Sequence, residues 1–228
     1  MVRRAPIAKR RLDTLSCLYY TNYAPHTSTM PPGPSTMHAD DDRWLDFLEL
    51  HYRKQDLFTI EADALAIPVN VVLNLNYTLG KKLAQLGGRV LVERVQAAKQ
   101  AIPGARMTLG TATSIPIADL PLQAKRAVLV AWWNETTDYD QNHLFKCYAA
   151  ALRAAFAHGA TSLVLPILGG RGGVKSTDRA RVICDLLQQF NQLKPSGTFP
   201  VEHLIFADLN AAPLDAIERE LDRNLYRD

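Results

Sequence analysis

The sequence has few cysteines and no long apolar run, and each absence excludes a class of protein. Its 228 residues include three cysteines, which lie far apart in the chain at Cys17, Cys147 and Cys184. This spacing fits neither a disulfide framework nor a zinc motif of paired cysteines, and it is typical of a reducing compartment. No run of eighteen apolar residues occurs, so no transmembrane helix is expected. We therefore expect a cytoplasmic protein without membrane partners.

The sequence also lacks a histidine cluster. Its six histidines are scattered, at His26, His38, His51, His143, His158 and His203. No pair has the short spacing that is typical of metal ligands. The sequence therefore predicts no metal site, and no motif indicates a bound cofactor.

Positive charge is in excess only at the N-terminus. The net charge is +3, but residues 1–37 carry five basic residues and one acidic residue, which leaves the remainder slightly acidic. The pI of about 8.8 thus reflects the first segment. A basic surface on the body of the protein is not predicted, so direct nucleic-acid binding is not indicated.

The first 37 residues also lack apolar periodicity. They are basic, then rich in Thr, Ser and Pro. We interpret residues 1–37 as a disordered basic arm that precedes one domain over 38–228. Two alternatives stay open: a transit peptide, or upstream sequence before a start at Met30 or Met37.

Glycine is concentrated at one functionally suggestive point. A short apolar run, Ser162 to Leu168, predicts a buried strand, and Ser176 to Asp178 provides N-cap candidates for an amphipathic helix. Glycines at a strand's end let backbone N–H groups converge on an anion, and the helix N-terminus adds positive partial charge. The segment therefore predicts a phosphate or diphosphate site, although a flexible turn is the alternative. Its loop residues are Gly169, Gly170, Arg171, Gly172 and Gly173, of which Arg171 offers a charge-assisted hydrogen bond.

The same loop is one residue away from a P-loop. Gly169 to Ser176 fits the pattern G-x-x-x-x-G-K-[ST] except at Val174, where the pattern has glycine. A β-branched residue resists the positive φ that this position requires. A minor alternative is therefore a P-loop-like nucleotide hydrolase. In it, Lys175 and Ser176 would contact phosphate and Mg²⁺, and Asp208 would be the acidic residue that binds the metal.

Strand and helix patterns alternate along the chain. Apolar runs predict strands at 57–60, 64–73, 108–116, 126–133, 162–168 and 201–207. Periodic patterns predict helices within 38–52, from about 78 to 102, and at 140–158, 176–190 and 213–226. This order predicts an α/β fold, a three-layer α/β/α sandwich with a mixed, mostly parallel sheet.

Ligands of such sheets bind beyond the carboxyl ends of the strands. Asn70, the polar segment 134–139 and the glycine loop can all lie there. Asn70 interrupts an apolar run, so its amide needs hydrogen-bond partners. These are either the following loop or a ligand.

Several segments over about 56–209 together resemble the macro domain, an ADP-ribose-binding module. Gln55-Asp56-Leu57-Phe58 is similar to the family's G-D-I-T, and Asp63 to Asn70 is similar to D-A-I-V-N-A-A-N at matching spacing. Leu165 to Gly173 resembles the family's strand, proline and glycine-rich loop. Leu120 to Trp132 resembles the family's strand L-P-A-K-x-V-I-H, and Leu144 to Gly159 resembles its helix L-x-x-C-Y-x-x-x-L.

This resemblance implies a role for each matching residue. Asp56 would accept a hydrogen bond from the adenine amino group, beside the Leu57 backbone. Asn70 would face the distal ribose, and Gly169 to Gly173 would bind the diphosphate through backbone N–H groups. The expected partner is ADP-ribose or an ADP-ribosylated macromolecule.

The sequence departs from the family pattern at positions that matter for catalysis. Ile67 replaces the first Asn of N-A-A-N, and Asn76 to Leu79 replaces a glycine-rich segment. Gly80 stands where many hydrolytic members have Asp, and the second loop lacks an aromatic residue. We expect a binding module, with an ADP-ribosyl hydrolase that uses Asn70, or a degenerate fold for protein interaction, as alternatives. No general base is evident; the weak candidates are Asp138, Asp140 and Lys81.

Overall fold

Six strands form one sheet in a computed structural model, which describes residues 48–134, 140–168, 174–192 and 201–225. The spatial order is β1-β6-β5-β2-β4-β3. β3 is antiparallel to β4, and the other neighbours are parallel, which confirms the predicted mixed, mostly parallel sheet. The strands are β1 Glu49–Lys54, β2 Ala62–Asn70, β3 Ala112–Pro116, β4 Ala124–Trp133, β5 Ser162–Pro166 and β6 His203–Asp208.

Helices cover both faces of the sheet. They are α1 Thr78–Ala101, α2 Gln141–Phe156, α3 Ser176–Gln192 and α4 Ala211–Leu225. α1 packs on one face, where Leu83 and Leu91 meet Leu65 and Ile67 of β2. α2, α3 and α4 pack on the other face, and their apolar residues include Leu144, Ile183 and Ile217. The two covered faces explain why β2 is a nearly continuous apolar run, and they confirm the three-layer architecture.

Two local predictions are wrong. The helix expected within 38–52 is not helical from Glu49 onward, because Leu50 and Tyr52 pack on the core while Glu49 and His51 alternate with them as in a strand. Residues 38–47 lie outside the described residues. The strand expected at 57–60 is a 3-10 turn, Leu57–Thr59, because the Asp56 carboxylate caps it by accepting from the Phe58 N–H.

α1 is interrupted at Gly88, whose φ of 61° and ψ of −155° are not helical. The helix predicted from about 78 to 102 is therefore confirmed, as two segments joined at one glycine. In the ranges that the structure describes, none of the helices has both the length and the apolar character needed to cross a membrane.

Candidate functional site

The candidate site lies at the carboxyl edge of the sheet. Because β1, β6, β5, β2 and β4 are parallel, their last residues share this edge. α1, α2, α3 and α4 each start a few residues after one of these strands, so their N-termini face the same edge. Helix N-termini carry positive partial charge, so the edge is suited to an anionic ligand.

Asn70 ends β2 at this edge. A register shift between Val69 and Asn70 brings Asn70 opposite Trp133, and its side chain is buried. Its Oδ1 accepts a hydrogen bond of 2.7 Å from the Asn74 N–H, which fixes the orientation of the amide. Its Nδ2 makes no hydrogen bond with the described residues. Asn70 therefore holds the following loop through one side of its amide, and its two amide hydrogens have no partner among the described residues.

Asp56 lies two residues after the end of β1. The preceding residue, Gln55, still donates its N–H to the Asp208 carbonyl at the end of β6, which keeps Asp56 at the carboxyl edge. One carboxylate oxygen of Asp56 accepts from Phe58, and the other forms an ion pair with Lys82 of α1. Leu57, next in the chain, is buried.

The sequence analysis did not identify Lys82 as the partner of Asp56. The Lys82 ammonium lies 5.6 Å from the centre of the Phe58 ring, which places this cation beside the 3-10 turn. The Asp56 carboxylate thus has two partners, the Phe58 N–H and Lys82, and its side chain is still 26% exposed. A donor arriving from solvent can thus reach Asp56.

The glycine loop itself, Gly169, Gly170, Arg171, Gly172 and Gly173, lies outside the described residues. The residues on either side of it, Leu168 and Val174, are described, and we call them its anchors. The Tyr148 hydroxyl accepts from the Leu168 N–H at 2.9 Å and faces the Pro166 carbonyl at 3.4 Å. Burial raises the pKa of Tyr148, although the Leu168 hydrogen bond and the Arg179 charge lower it, so the phenol stays neutral.

Arg179 holds the other anchor, since its Nε donates to the Val174 carbonyl at 2.9 Å. It is 9% exposed and pairs with no carboxylate among the described residues. A buried cation that lacks a carboxylate partner is unusual, because an unpaired buried charge is expensive. Arg179 was not predicted, although one signal was available: it lies three and four residues before Val182 and Ile183, on the core-facing stripe of α3.

An aromatic pair lies at the end of β4. Trp133, the register partner of Asn70, meets Tyr77, just before α1, edge to face with ring centroids 5.1 Å apart. Tyr77 is 39% exposed. The pair joins the end of β4 to the start of α1.

Of the weak general-base candidates, the two that the structure describes, Asp140 and Lys81, have no arrangement that supports catalysis. Asp140 caps α2 by accepting from the His143 N–H at 2.7 Å, Lys81 is exposed, and Asp138 lies outside the described residues. Burial raises the pKa of Cys147 and that of Cys184 to about 12, so neither thiol is an activated nucleophile.

Gly80 has a structural reason. A Cβ at this position would lie 3.0 Å from the Leu75 Cα and 3.1 Å from the Leu75 carbonyl oxygen. The start of α1 thus packs directly on the backbone of the preceding loop. The Asp that many hydrolytic macro domains carry at this point does not fit here without moving that loop.

A groove of about 540 Å³ runs between α1 and the loop after β2, and its lining includes Leu73, Lys81 and Lys99. Its lining also includes Asn74, which donates to Asn70, whereas Asp56, Asn70 and Trp133 do not line it.

The sequence profile of the Macro domain matches residues 67–183, just over half of the chain. The chain therefore belongs to the macro domain family, which confirms the resemblance. A search of curated proteins finds no match.

Solved macrodomains share the fold at low sequence identity. The Oceanobacillus iheyensis macrodomain with ADP has a TM-score of 0.65 at 16% identity, over 79% of this chain and 94% of that one. The Trypanosoma brucei macrodomain in complex with ADP-ribose has a TM-score of 0.62 at 14% identity, over 78% of this chain and 70% of that one.

Proposed function

We propose that this protein binds ADP-ribose or a related ADP-ribosyl nucleotide as a divergent, non-catalytic macro-domain module. The observation that carries the proposal is the order of groups along the carboxyl edge. Asp56 after β1, the residues that flank the glycine loop after β5, and Asn70 at the end of β2 follow parallel strands and so lie along one edge of the sheet, at chain positions that match the family's binding motifs. Macrodomains of this fold are known in complex with ADP-ribose.

Each group has a role in the proposed complex. Asp56 accepts from the adenine amino group beside the Leu57 backbone, and Asn70 donates its free amide hydrogens to the distal ribose. The backbone of Gly169 to Gly173, with Arg171, binds the diphosphate. The biological ligand is ADP-ribose, free or attached to a macromolecule, in the cytoplasm.

Gly80 favours binding over hydrolysis, since the Asp of many hydrolytic members is absent here and a Cβ would already lie 3.0 Å from the Leu75 Cα. A hydrolase that relies on Asn70 and a bound water stays the alternative. Release of ADP-ribose from an ADP-ribosylated protein, measured against a buffer blank, separates the two.

The decisive experiment is calorimetric titration with ADP-ribose, repeated with ATP plus Mg²⁺. We expect ADP-ribose to bind without a metal. Gly172→Val should abolish binding, because a β-branched side chain intrudes on the phosphate path and resists positive φ.

Lys175→Ala is the matched control. Lys175 is exposed, and its carbonyl accepts from the Arg179 N–H at the start of α3. Its loss should change the affinity for ADP-ribose by less than about threefold, which is about 0.7 kcal/mol. Loss of binding in a folded Lys175→Ala variant, or binding of Mg-ATP alone, would support the P-loop alternative. No nucleotide binding by the wild type would support a degenerate fold.

A further inference from the structure

Three potential metal ligands meet in the amino-terminal halves of the neighbouring strands β1 and β6. Glu49 and His51 lie two residues apart on β1, and His203 is the register partner of Glu49 on β6. Leu50, Tyr52 and Leu204 belong to the core under α2, α3 and α4, so Glu49, His51 and His203 project from the opposite face. Glu49 and His203 begin their strands, about 16 Å from the carboxyl edge at 3.3 Å per residue, and His51 lies about 10 Å from it.

The three ligand atoms form a nearly equilateral triangle. His51 Nε2 is 3.3 Å from His203 Nδ1, and Glu49 Oε2 is 3.4 Å from each nitrogen. Two ligands of a tetrahedral zinc ion, each bonded at about 2.0–2.1 Å, are separated by about 3.3–3.4 Å. The triangle therefore already has the edge length of a tetrahedral zinc site.

Hydrogen bonding explains this arrangement less well. The distances lie beyond the usual range of about 2.7–3.2 Å for N–H···O bonds. In addition, two ring nitrogens point at each other, so at least one must carry a proton between them. A cation at the centre satisfies all three atoms at once.

We propose that Glu49, His51 and His203 form a binding site for a divalent transition-metal ion, with Zn²⁺ as the best fit. Two imidazoles and a carboxylate suit zinc and its neighbours in the first transition row, whereas Mg²⁺ and Ca²⁺ prefer oxygen ligands. The side chains of His51, His203 and Glu49 are 27%, 41% and 65% exposed, so solvent can deliver the ion and supply a water as the fourth ligand.

The site would fasten an edge strand. β1 pairs with β6 as its one neighbour in the described sheet, and it leads directly to Asp56. Because His51 and His203 are 152 residues apart in sequence, the full ligand set exists only in the folded protein, so metal binding should stabilise the fold. This distance in sequence also explains why the histidine pattern predicted no metal site. The inference is independent of ADP-ribose binding.

The test uses the full chain without a histidine tag, stripped of metal by chelation and titrated with Zn²⁺ at pH 7.5, where an ordinary histidine is mostly neutral. We expect one Zn²⁺ per chain and a rise in melting temperature, and no response to Mg²⁺. Co²⁺ should give the visible absorption of a tetrahedral nitrogen and oxygen site.

His51→Ala and His203→Ala should each weaken Zn²⁺ binding at least about tenfold and remove the Co²⁺ spectrum. Glu49→Gln, which keeps the shape of the side chain, should weaken binding in the same direction. His158→Ala is the matched control, because His158 is an exposed histidine at the end of α2 and should leave Zn²⁺ binding unchanged. Circular dichroism confirms folding. A wild type that binds no zinc, or folded His51 and His203 variants that bind it as tightly as His158→Ala, would overturn the proposal.

Discussion

Arg179 is a buried cation next to the described ends of the glycine loop. Its guanidinium is buried beside both anchors of the glycine loop, through Val174 and the Tyr148 hydroxyl, and it has no carboxylate partner among the described residues. Such a cation weakens the free protein through desolvation and strengthens the complex with an anion. Function and stability should therefore respond to its removal in opposite directions.

We predict that Arg179→Met weakens ADP-ribose binding by about 1.5–3 kcal/mol, the worth of hydrogen bonds to a charged group. The melting temperature should stay the same or rise, because methionine fills the space without a charge. Calorimetry and thermal unfolding measure the two effects. Arg181→Met, an exposed position on the same helix, should change neither. Unchanged affinity in Arg179→Met would show that Arg179 only holds the loop.

Asp63 joins three strands at the amino edge of the sheet. It begins β2, accepts from Lys125 of β4 at 2.6 Å, and accepts from the N–H and hydroxyl of Thr161, just before β5. Although burial alone would raise its pKa, the Lys125 and Thr161 hydrogen bonds lower the pKa of Asp63 far below its ordinary 3.8. The folded state therefore prefers the ionised carboxylate.

We predict that Asp63→Asn lowers the free energy of unfolding by about 2 kcal/mol at pH 7. A group with a lowered folded-state pKa stabilises above its unfolded pKa and loses this contribution as the pH falls. The difference between wild type and variant should thus narrow below pH 3.8. Urea unfolding at several pH values measures it. Asp119→Asn, which breaks the exposed pair with Arg94, should have little effect at any pH.

Element α1 depends on one glycine. Gly88 interrupts the helix at φ 61° and ψ −155°, a region that is essentially restricted to glycine. No atom lies within 4 Å of where its Cβ would be, so the constraint is conformational and not steric.

We predict that Gly88→Asn lowers stability by about 1–3 kcal/mol. Gly104→Asn is the matched control: it is equally open and has positive φ, but its φ of 67° and ψ of 12° lie in the left-handed region that asparagine tolerates. Thermal unfolding of the two variants measures the difference. Equal melting temperatures would mean that α1 straightens at Gly88 without loss.

The elements that sequence predicted well are those whose environment is uniform along their length. β2 and β4 are buried on both faces, so their apolar runs identify them, and α2 has a clear stripe and an Asp140 cap. The predictions for β1 and for the 3-10 turn were wrong because each element is short, so that a few tertiary or capping contacts determine its conformation. In the candidate site, motif spacing predicted Asp56 and Asn70, which both lie at the carboxyl edge of the sheet, and their roles stay predictions. The Lys82 and Arg179 contacts come from tertiary packing, which no local pattern encodes.

At the scale of the whole molecule, elements within the described residues already cover both faces of the sheet. α1 and the 3-10 turn cover one face of the sheet, and the other three helices cover the second. Residues 1–37 carry the chain's net excess of positive charge and have little apolar periodicity. Residues 38–47 differ, since they contain Trp44, Leu45 and Phe47, which the sequence predicts to pack on the body.

We therefore predict that deletion of residues 1–37 changes the melting temperature by less than about 2–4 °C, the equivalent of about 1 kcal/mol at this size. ADP-ribose affinity should also be retained, because the proposed site draws on the body alone. Deletion of residues 1–47 is the contrasting variant: it removes the three aromatic and aliphatic side chains ahead of β1, and each that is buried stabilises by about 1.5–3 kcal/mol. We expect this longer deletion to lower the melting temperature clearly. Loss of several degrees already in the shorter deletion would show that the arm packs on the body, whereas equal stability of both deletions would place the start of the domain at β1.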